Sequence, residues 1–412
     1  MTKKTVVVGM SGGVDSSVAA ALLKEQGYSV IGLYMNNWED PESDICPGAF
    51  DWEDVVSVCG KLQIPHYSIK FNKQYMSQVF SYFLDELKNG NTPNPDVLCN
   101  RKIKFGVFKE HAKKIGADYI ATGHYCGTDS QIVTPFVDNQ GIALTRAVDT
   151  NKDQSYFLNQ VTTEQLDGVL FPLNNIDKST VREIAKKYAL STSDKKDSTG
   201  ICFIGERNFK NFLSKYLPAQ KGKIIELHTH REVGEHTGLM NYTIGQRRGL
   251  GIGGIKEDYA QSANQCQLSS LAKERTCPNN NPSPKNELSN PIITHSPPST
   301  TQHNRWFVVK KDLDKNILWV SRQEQDDLAS DGCQIEKLNI IGGTLNTNQF
   351  DCTIKLRYRQ QDVPATVQIK GDRYFVTFHT PQRAVTVGQF LVMYFGQRCV
   401  GGARIISNAK NS

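Results

Sequence analysis

Three consecutive valines, Val6 to Val8, run straight into Gly9-Met10-Ser11-Gly12-Gly13-Val14-Asp15-Ser16-Ser17-Val18-Ala19, and this junction constrains the fold more than any other stretch. β-Branched residues favour a strand, adjacent glycines permit a tight turn, and the alanine-rich run that follows favours a helix. A strand that feeds a helix through a glycine turn opens a parallel α/β sheet, which binds ligands at the carboxyl ends of its strands. The alternation continues downstream. Thr5 to Val8, Val30 to Met35, Pro65 to Ile69 and Tyr119 to Thr122 read as strands; Ser16 to Glu25, Asp51 to Leu62, Lys73 to Leu87 and Lys102 to Ile115 read as helices between them.

The turn itself is built for an anion. Gly12 and Gly13 let the backbone approach closely, Ser11 and Ser16 add hydroxyls, and the helix start supplies N–H groups and a positive dipole. The loop contains neither Gly-x-x-x-x-Gly-Lys-Ser/Thr nor Gly-x-Gly-x-x-Gly, which excludes the ordinary nucleoside-triphosphate loop and the dinucleotide fingerprint there. Ser-Gly-Gly-x-Asp-Ser after a first strand resembles the pyrophosphate (PP) loop of the N-type ATP pyrophosphatases, with their adenine nucleotide alpha hydrolase-like fold. That resemblance implies ATP on Gly9, Met10, Ser11, Gly12, Gly13, Val14, Asp15 and Ser16, with Mg2+ held in part by Asp15.

At 412 residues the chain exceeds a single core, so two or three domains are expected. An α/β fold class is expected: a parallel-sheet PP-loop domain (1–205), a small central linking domain (206–256), a disordered insertion (257–303) and a C-terminal β-barrel (304–412). The insertion is read from composition, since six of the 16 prolines fall there beside one aromatic, Tyr259. Strand signals return in Trp306 to Lys310, Ile317 to Ser321, Cys352 to Arg359, Tyr374 to Phe378 and Phe390 to Phe395. From Arg305 onward the chain carries 15 Lys/Arg against 10 Asp/Glu. A basic face of this kind suits phosphate backbones, and an ordinary solvated surface equally. No run approaches the length of a membrane span and the N-terminus has no secretory apolar stretch, so a cytoplasmic protein without membrane contact, most simply a monomer, is expected.

Ten cysteines occur, at 46, 59, 99, 126, 202, 266, 277, 333, 352 and 399, with no Cys-x-x-Cys pair to suggest structural zinc. Two stand in unusual company. Cys99 follows a proline-stiffened turn, Thr92-Pro93-Asn94-Pro95-Asp96-Val97-Leu98, and precedes Arg101, Lys102 and Lys104, a placement that favours the thiolate, with Asp96 at hand to move a proton. Cys202 lies between Gly200 and Gly205, as a thiol on a loop would.

Together with Tyr34-Met35-Asn36-Asn37-Trp38, Ala121-Thr122-Gly123-His124-Tyr125, Lys152-Asp153-Gln154-Ser155-Tyr156-Phe157-Leu158 and Tyr242-Thr243-Ile244-Gly245-Gln246-Arg247-Arg248-Gly249-Leu250-Gly251, these stretches resemble the tRNA-specific 2-thiouridylases over nearly the whole chain outside the insertion. The resemblance implies an ATP-dependent tRNA-uridine 2-sulfurtransferase that adenylates C2 of the wobble uridine. Met35 and Gly123 would flank the adenine and ribose. Cys202 would carry a persulfide received from a sulfur-relay donor protein, and Cys99 would be the nucleophile that closes a transient Cys99–Cys202 disulfide. Asn94, Pro95 and Asp96 would contact the base; His124, Lys152, Asp153, Gln154, Arg357, Tyr358 and Gln389 would contact tRNA. Three alternatives stay open on the residues alone: a ligase or amidase on the same loop, a tRNA-binding protein with an inactive nucleotide fold, and an iron–sulfur cluster on Asp96, Cys99 and Cys202. The insertion departs from the family pattern and leaves the domain junction undefined.

Overall fold

A computed structural model of the chain describes residues 3–38, 47–197, 209–252 and 305–409. The insertion, Cys202 and its flanking motif, and Cys46, Cys266 and Cys277 lie outside the described residues. The described chain divides into two compact units, 1–219 with 328–412, and 220–327.

The larger unit opens with a parallel sheet. β1 (Thr5–Met10) lies between β2 (Ser29–Asn36) and β4 (Tyr119–Ala121); β3 (His66–Lys70) continues the sheet beyond β2, and the short strand Val169–Leu170 beyond β4. Every pairing is parallel, with Val6 opposite both Val30 and Tyr119. Val6, Val7 and Val8 are wholly buried because helices cover both faces. α1 (Val14–Glu25) places Val18, Ala19 and Ala20 in the core, and α2 (Pro47–Leu62) adds Val55, Val58 and Cys59. The small alanines allow α1 to sit close on the strands. Strand order reverses direction at β1, whose neighbours β2 and β4 lie on opposite sides, so the crevice of a doubly wound sheet falls at the ends of β1 and β4.

The same unit contains a closed six-stranded antiparallel barrel. Ala329–Ile335 pairs with both Arg373–Arg383 and Arg398–Ala409, and Val363–Lys370, Gln349–Lys355 and Phe390–Phe395 complete the circuit. Ile354, Val367, Leu391, Met393, Val400 and Ile405 fill it. The hairpin Cys126–Asp129 and Ala143–Arg146 extends the barrel sheet, with Cys399 opposite Leu144 and Arg398 opposite Thr145. Part of the N-terminal chain is thus woven into the C-terminal sheet.

The smaller unit is a four-stranded sheet in the order Glu232–His236, Gly222–Glu226, Ile317–Ser321, Phe307–Asp312, over a core of Ile224, Tyr242, Leu250, Val308, Leu318 and Val320. The strand around 317–321 therefore pairs with residues 222–226 and the strand around 306–310 pairs with it in turn, neither of them with the barrel to which the sequence pattern assigned them. Alternation marks a strand and its buried face but not its partner.

Candidate active site at the phosphate loop

The loop from Gly9 to Ser16 sits at the β1 switch point. Gly12 has φ +72°, and a Cβ there would stand 2.6 Å from the Asp51 carbonyl oxygen. Gly13 is the extended N-cap of α1 and no side chain caps the helix start. Inside the loop, the Ser11 N–H donates to Ser16 Oγ (3.2 Å) and Ser16 Oγ donates to the Gly13 carbonyl (3.1 Å). Gly123, just past β4, presses on the same helix start, because a Cβ on it would lie 2.7 Å from the Ser16 nitrogen. Met35 at the end of β2 reaches over Gly9, its Cε 3.7 Å from where a Gly9 Cβ would be. Gly9 to Ser16, Met35 and Gly123 are thus brought together, around a shape that suits a phosphate chain.

Charges converge beside it. Tyr125 Oη and Lys178 Nζ both donate to Asp15 Oδ1, at 2.8 and 2.7 Å. Lys178 also pairs with Asp197 Oδ1 (2.7 Å), and Asp197 is further held by Lys152 (2.6 Å) and Arg182 (3.3 Å). Burial pushes the Asp197 carboxyl up, but hydrogen bonds from Lys152 and Lys178 outweigh it and hold the group down at about 2. Lys195 Nζ donates to the Gly12 carbonyl (3.0 Å) while pairing with Asp51 and Asp54. The sequence reading missed Lys178, Lys195, Tyr125 and Asp197 as site residues. Lys178 carried a signal: a lysine in the first turn of helix Lys178–Lys187, where the dipole disfavours cations, implies an anion nearby.

The second region is the turn that leads to Cys99. Asn94 stands at the N-cap position, without a side-chain capping bond, of a helical run that begins with Pro95 at its first position, passes through Pro95–Leu98 and continues as a wider π-type helix, Cys99–Phe108, bent at Gly106. Cys99 is therefore one turn inside the helix, not ahead of it. Its N–H already bonds to the preceding turn, so the free helix start lies at Asn94–Asp96, not at the thiol. Cys99 is fully buried, and Asn100 beside it donates to the Phe157 carbonyl (3.1 Å). The Cys99 helix also reaches the phosphate loop. Phe108 Cζ stands 3.4 Å from a Gly9 Cβ position, and Lys104 Nζ lies 3.5 Å from His124 Nε2.

His124 is buried beneath Phe105 and Phe171, with Nδ1 2.8 Å from Thr122 Oγ1. Burial, reinforced by Lys104, drives its pKa well below the usual value and keeps the ring neutral. Asp153 is buried too: Oδ1 accepts from the Ala147 and Ser155 N–H groups and Oδ2 from Ser155 Oγ, so here it organises its loop. Gln154 Oε1 accepts the Tyr125 N–H (3.0 Å), and Tyr358 Oη donates to the Lys152 carbonyl (3.3 Å). Arg357 lies past the end of its strand and donates to the carbonyls of Arg383 and Ala384. Gln389 Nε2 donates to the Thr92 carbonyl (2.7 Å), which joins the barrel to the cysteine turn. Lys152, Asp153, Gln154 and Tyr358 form one cluster; Gln389 belongs with Asn94–Cys99. Among the described residues no group of His, Cys, Asp or Glu is arranged to hold a metal ion by itself, and no helix is long and apolar enough to cross a membrane.

A helix-start phosphate cradle at the switch point of a doubly wound parallel sheet places this protein among the PP-loop nucleotide-binding enzymes. Residues 4–206 match the family described as tRNA methyl transferase HUP domain, residues 210–262 the tRNA methyl transferase PRC-barrel domain, and residues 330–405 the aminomethyltransferase beta-barrel domain. The tRNA-specific 2-thiouridylase MnmA of Streptococcus thermophilus is 47% identical over 98% of this chain and 95% of its own length. The proteins of the same name from Bacillus licheniformis and Lysinibacillus sphaericus are 48% and 46% identical, over 97% of this chain and 94% and 93% of theirs. The chain belongs to the tRNA-specific 2-thiouridylase family.

Proposed function

We propose that this protein is a sulfurtransferase that replaces the C2 oxygen of the tRNA wobble uridine with sulfur at the expense of ATP. ATP would lie on Gly9 to Ser16, its phosphates against the uncapped start of α1. Asp15, in the first turn of that helix, offers the carboxylate oxygen a hard ion prefers; Mg2+ bound with ATP would neutralise phosphate charge there. Lys178 and Lys195 stand where they can stiffen that arrangement, one on Asp15 and the other on the Gly12 carbonyl.

The uridine C2 oxygen attacks the α-phosphate, pyrophosphate leaves, and the adenylated oxygen becomes a good leaving group. Sulfur from a Cys202 persulfide, loaded by a relay protein, then takes the place of AMP at C2. Cys99 bonds to the Cys202 sulfur as the terminal sulfur is released, and a cellular dithiol reopens the resulting disulfide. The base must leave the anticodon stack, which costs little in a single-stranded loop. Asn94, Pro95 and Asp96, at the head of the Cys99 helix, would hold it. Lys152, Gln154, Arg357, Tyr358 and Gln389 remain candidates for RNA contact, and a protein acting as a monomer in the cytoplasm fits this chemistry.

The observation that carries the reading is the packing of the Cys99 helix on the phosphate loop, through Phe108 at Gly9 and Lys104 at His124. That packing supports a reading in which activation and sulfur chemistry act on one base. Purified protein given tRNA, Mg-ATP and a persulfide donor should form thiolated wobble uridine, detected by mass spectrometry of the digested RNA. Cys202→Ala should lower the rate by at least ~10²-fold, as expected for loss of a covalent carrier. A ligase or amidase would keep its activity in that variant. Thiolated wobble uridine persisting in a strain that lacks the gene would sink the proposal.

A further inference from the structure

A buried ion pair joins the helix Ser81–Lys88 to the barrel strand Arg398–Ala409, at some remove in sequence from both parts of the candidate site. Arg404 donates to Glu86 Oε2 from Nε (3.1 Å) and Nη2 (2.5 Å), and its Nη1 donates to Glu336 Oε1 at 2.6 Å. The Arg404 and Glu86 side chains are only 16% and 10% exposed. An ion pair buried this far gains little over an apolar pair of similar volume, so stability alone does not explain it. What it supplies is direction. The planar guanidinium fixes the carboxylate in one orientation, and the same Glu86 Oε2 accepts a third hydrogen bond from Asn91 Nδ2 at 3.1 Å. The Glu86 carbonyl also accepts the Asn91 N–H (2.9 Å), and the next residue, Thr92, donates its N–H to Val387 of the barrel (3.0 Å).

Asn91 is thus held from the barrel through Glu86, immediately before the turn that sets Asn94, Asp96 and Cys99. The geometry points to Arg404 and Glu86 as positioning residues that act through Asn91 to align the Asn94–Cys99 turn with the nucleotide loop for sulfur transfer. This deepens the thiolation reading above and rests on it. Neither residue touches base, nucleotide or sulfur. Their effect on the rate comes through the angle at which the Cys99 helix starts.

The test compares wild type with Glu86→Leu/Arg404→Met, which removes both charges together, with Asn91→Ala, which leaves the ion pair in place, and with Arg404→Lys. Three quantities are read: the tRNA dissociation constant, the single-turnover thiolation rate at saturating tRNA and Mg-ATP, and the rate of Cys99 alkylation by iodoacetamide, located by peptide mapping. The double variant and Asn91→Ala should bind tRNA within about 2-fold of wild type yet thiolate about 10-fold or more slowly, because misplacement by a fraction of an ångström costs rate and not affinity. Their Cys99 alkylation rates should also change, and Arg404→Lys should return the rate to within about 3-fold of wild type. Wild-type single-turnover rates in both variants, or a loss confined to tRNA affinity, would overturn the assignment. If the double variant does not fold by circular dichroism, Asn91→Ala decides alone. A wild-type protein that thiolates nothing sinks the function reading instead; alkylation of Cys99 then judges the positioning, with equal rates in wild type and Asn91→Ala counting against it and unequal rates for it.

Discussion

The phosphate loop and the Cys99 turn are held in opposite ways. Most of what shapes the loop lies within eight residues: two glycines, the Ser11–Ser16 contact and the uncapped start of α1, with Gly123 and Lys195 bracing it from outside. The cysteine turn has little local support. Thr92 is fixed by Val387 and Gln389, Asn91 by Glu86 and through it Arg404, and Asn100 by Phe157. A cradle for phosphate can be local because it needs only a helix start and room for the backbone. A thiol that must meet an activated carbon needs an orientation set by the rest of the fold. Damage to the loop should therefore abolish nucleotide use and leave the thiol alone, whereas damage to distant braces should mistune the thiol and spare the nucleotide.

The largest expected effect comes from Gly12→Ala. The left-handed φ of +72° and the 2.6 Å approach to the Asp51 carbonyl leave a Cβ no room, and backbone cannot yield as a flexible side chain would. Strain of about 2–3 kcal/mol at the point where phosphate must fit should lower kcat/KM for ATP about 100-fold. Cys99 alkylation should stay within about 2-fold of wild type. If ATP kinetics survive, the loop is not the nucleotide site; if Cys99 reactivity collapses as well, the two regions are not separately held.

This division also explains how far the sequence could be read. Four of the five strands of the parallel sheet and the loop follow from short-range pattern, and the structure places those strands within two residues of expectation. The helices between them are found too, but two begin well ahead of it, at Pro47 instead of Asp51 and at Pro95 instead of Lys102, and the short strand Val169–Leu170 was not read. Arg398–Ala409 escaped notice because Gly401, Gly402 and a fully buried Arg398 break the apolar alternation that marks a strand. Arg398 is tolerated there because carbonyls of Ile132, Ile341 and Gly342 and the Asn139 side chain receive its guanidinium. The hairpin 126–146 was unread for a related reason: it is short and its partner lies some 250 residues away. Cys99 and Asp96 stood out by composition, but the bonds that tie their turn to the barrel cross almost 300 residues and have no local signature.

A smaller effect should follow from Lys195→Met. Lys195 is a brace of the loop whose loss leaves every glycine in place: its ammonium bridges the Gly12 carbonyl to Asp51 and Asp54. Loss of a charge-assisted bond to that carbonyl is worth about 1.5 kcal/mol, so KM for ATP should rise about 10-fold with kcat little changed. An unchanged KM would mean that the loop holds its shape without this brace from outside.

The smallest expected effect concerns His124, where the two regions touch. Burial among Phe105 and Phe171, with Lys104 beside it, holds its pKa well below 6.5, so the folded protein resists the proton that the unfolded chain accepts. A depressed folded pKa makes stability complete above about pH 6.5 and progressively lost as pH falls below it, by about 1.4 kcal/mol for each full unit. His236 in the smaller unit, lowered mainly by burial, has the same sign, whereas His228, raised by its hydrogen bond to Asp327, has the opposite one. The contribution of His124 must therefore be isolated by substitution. Between pH 7.5 and 5.5 the melting temperature of His124→Gln should fall by about 2 °C less than that of wild type. A parallel fall in both proteins would mean that His124 takes up a proton in place; Lys104 would then have to move away from it, and the contact that joins the Cys99 helix to the nucleotide loop would be the first to open in acid.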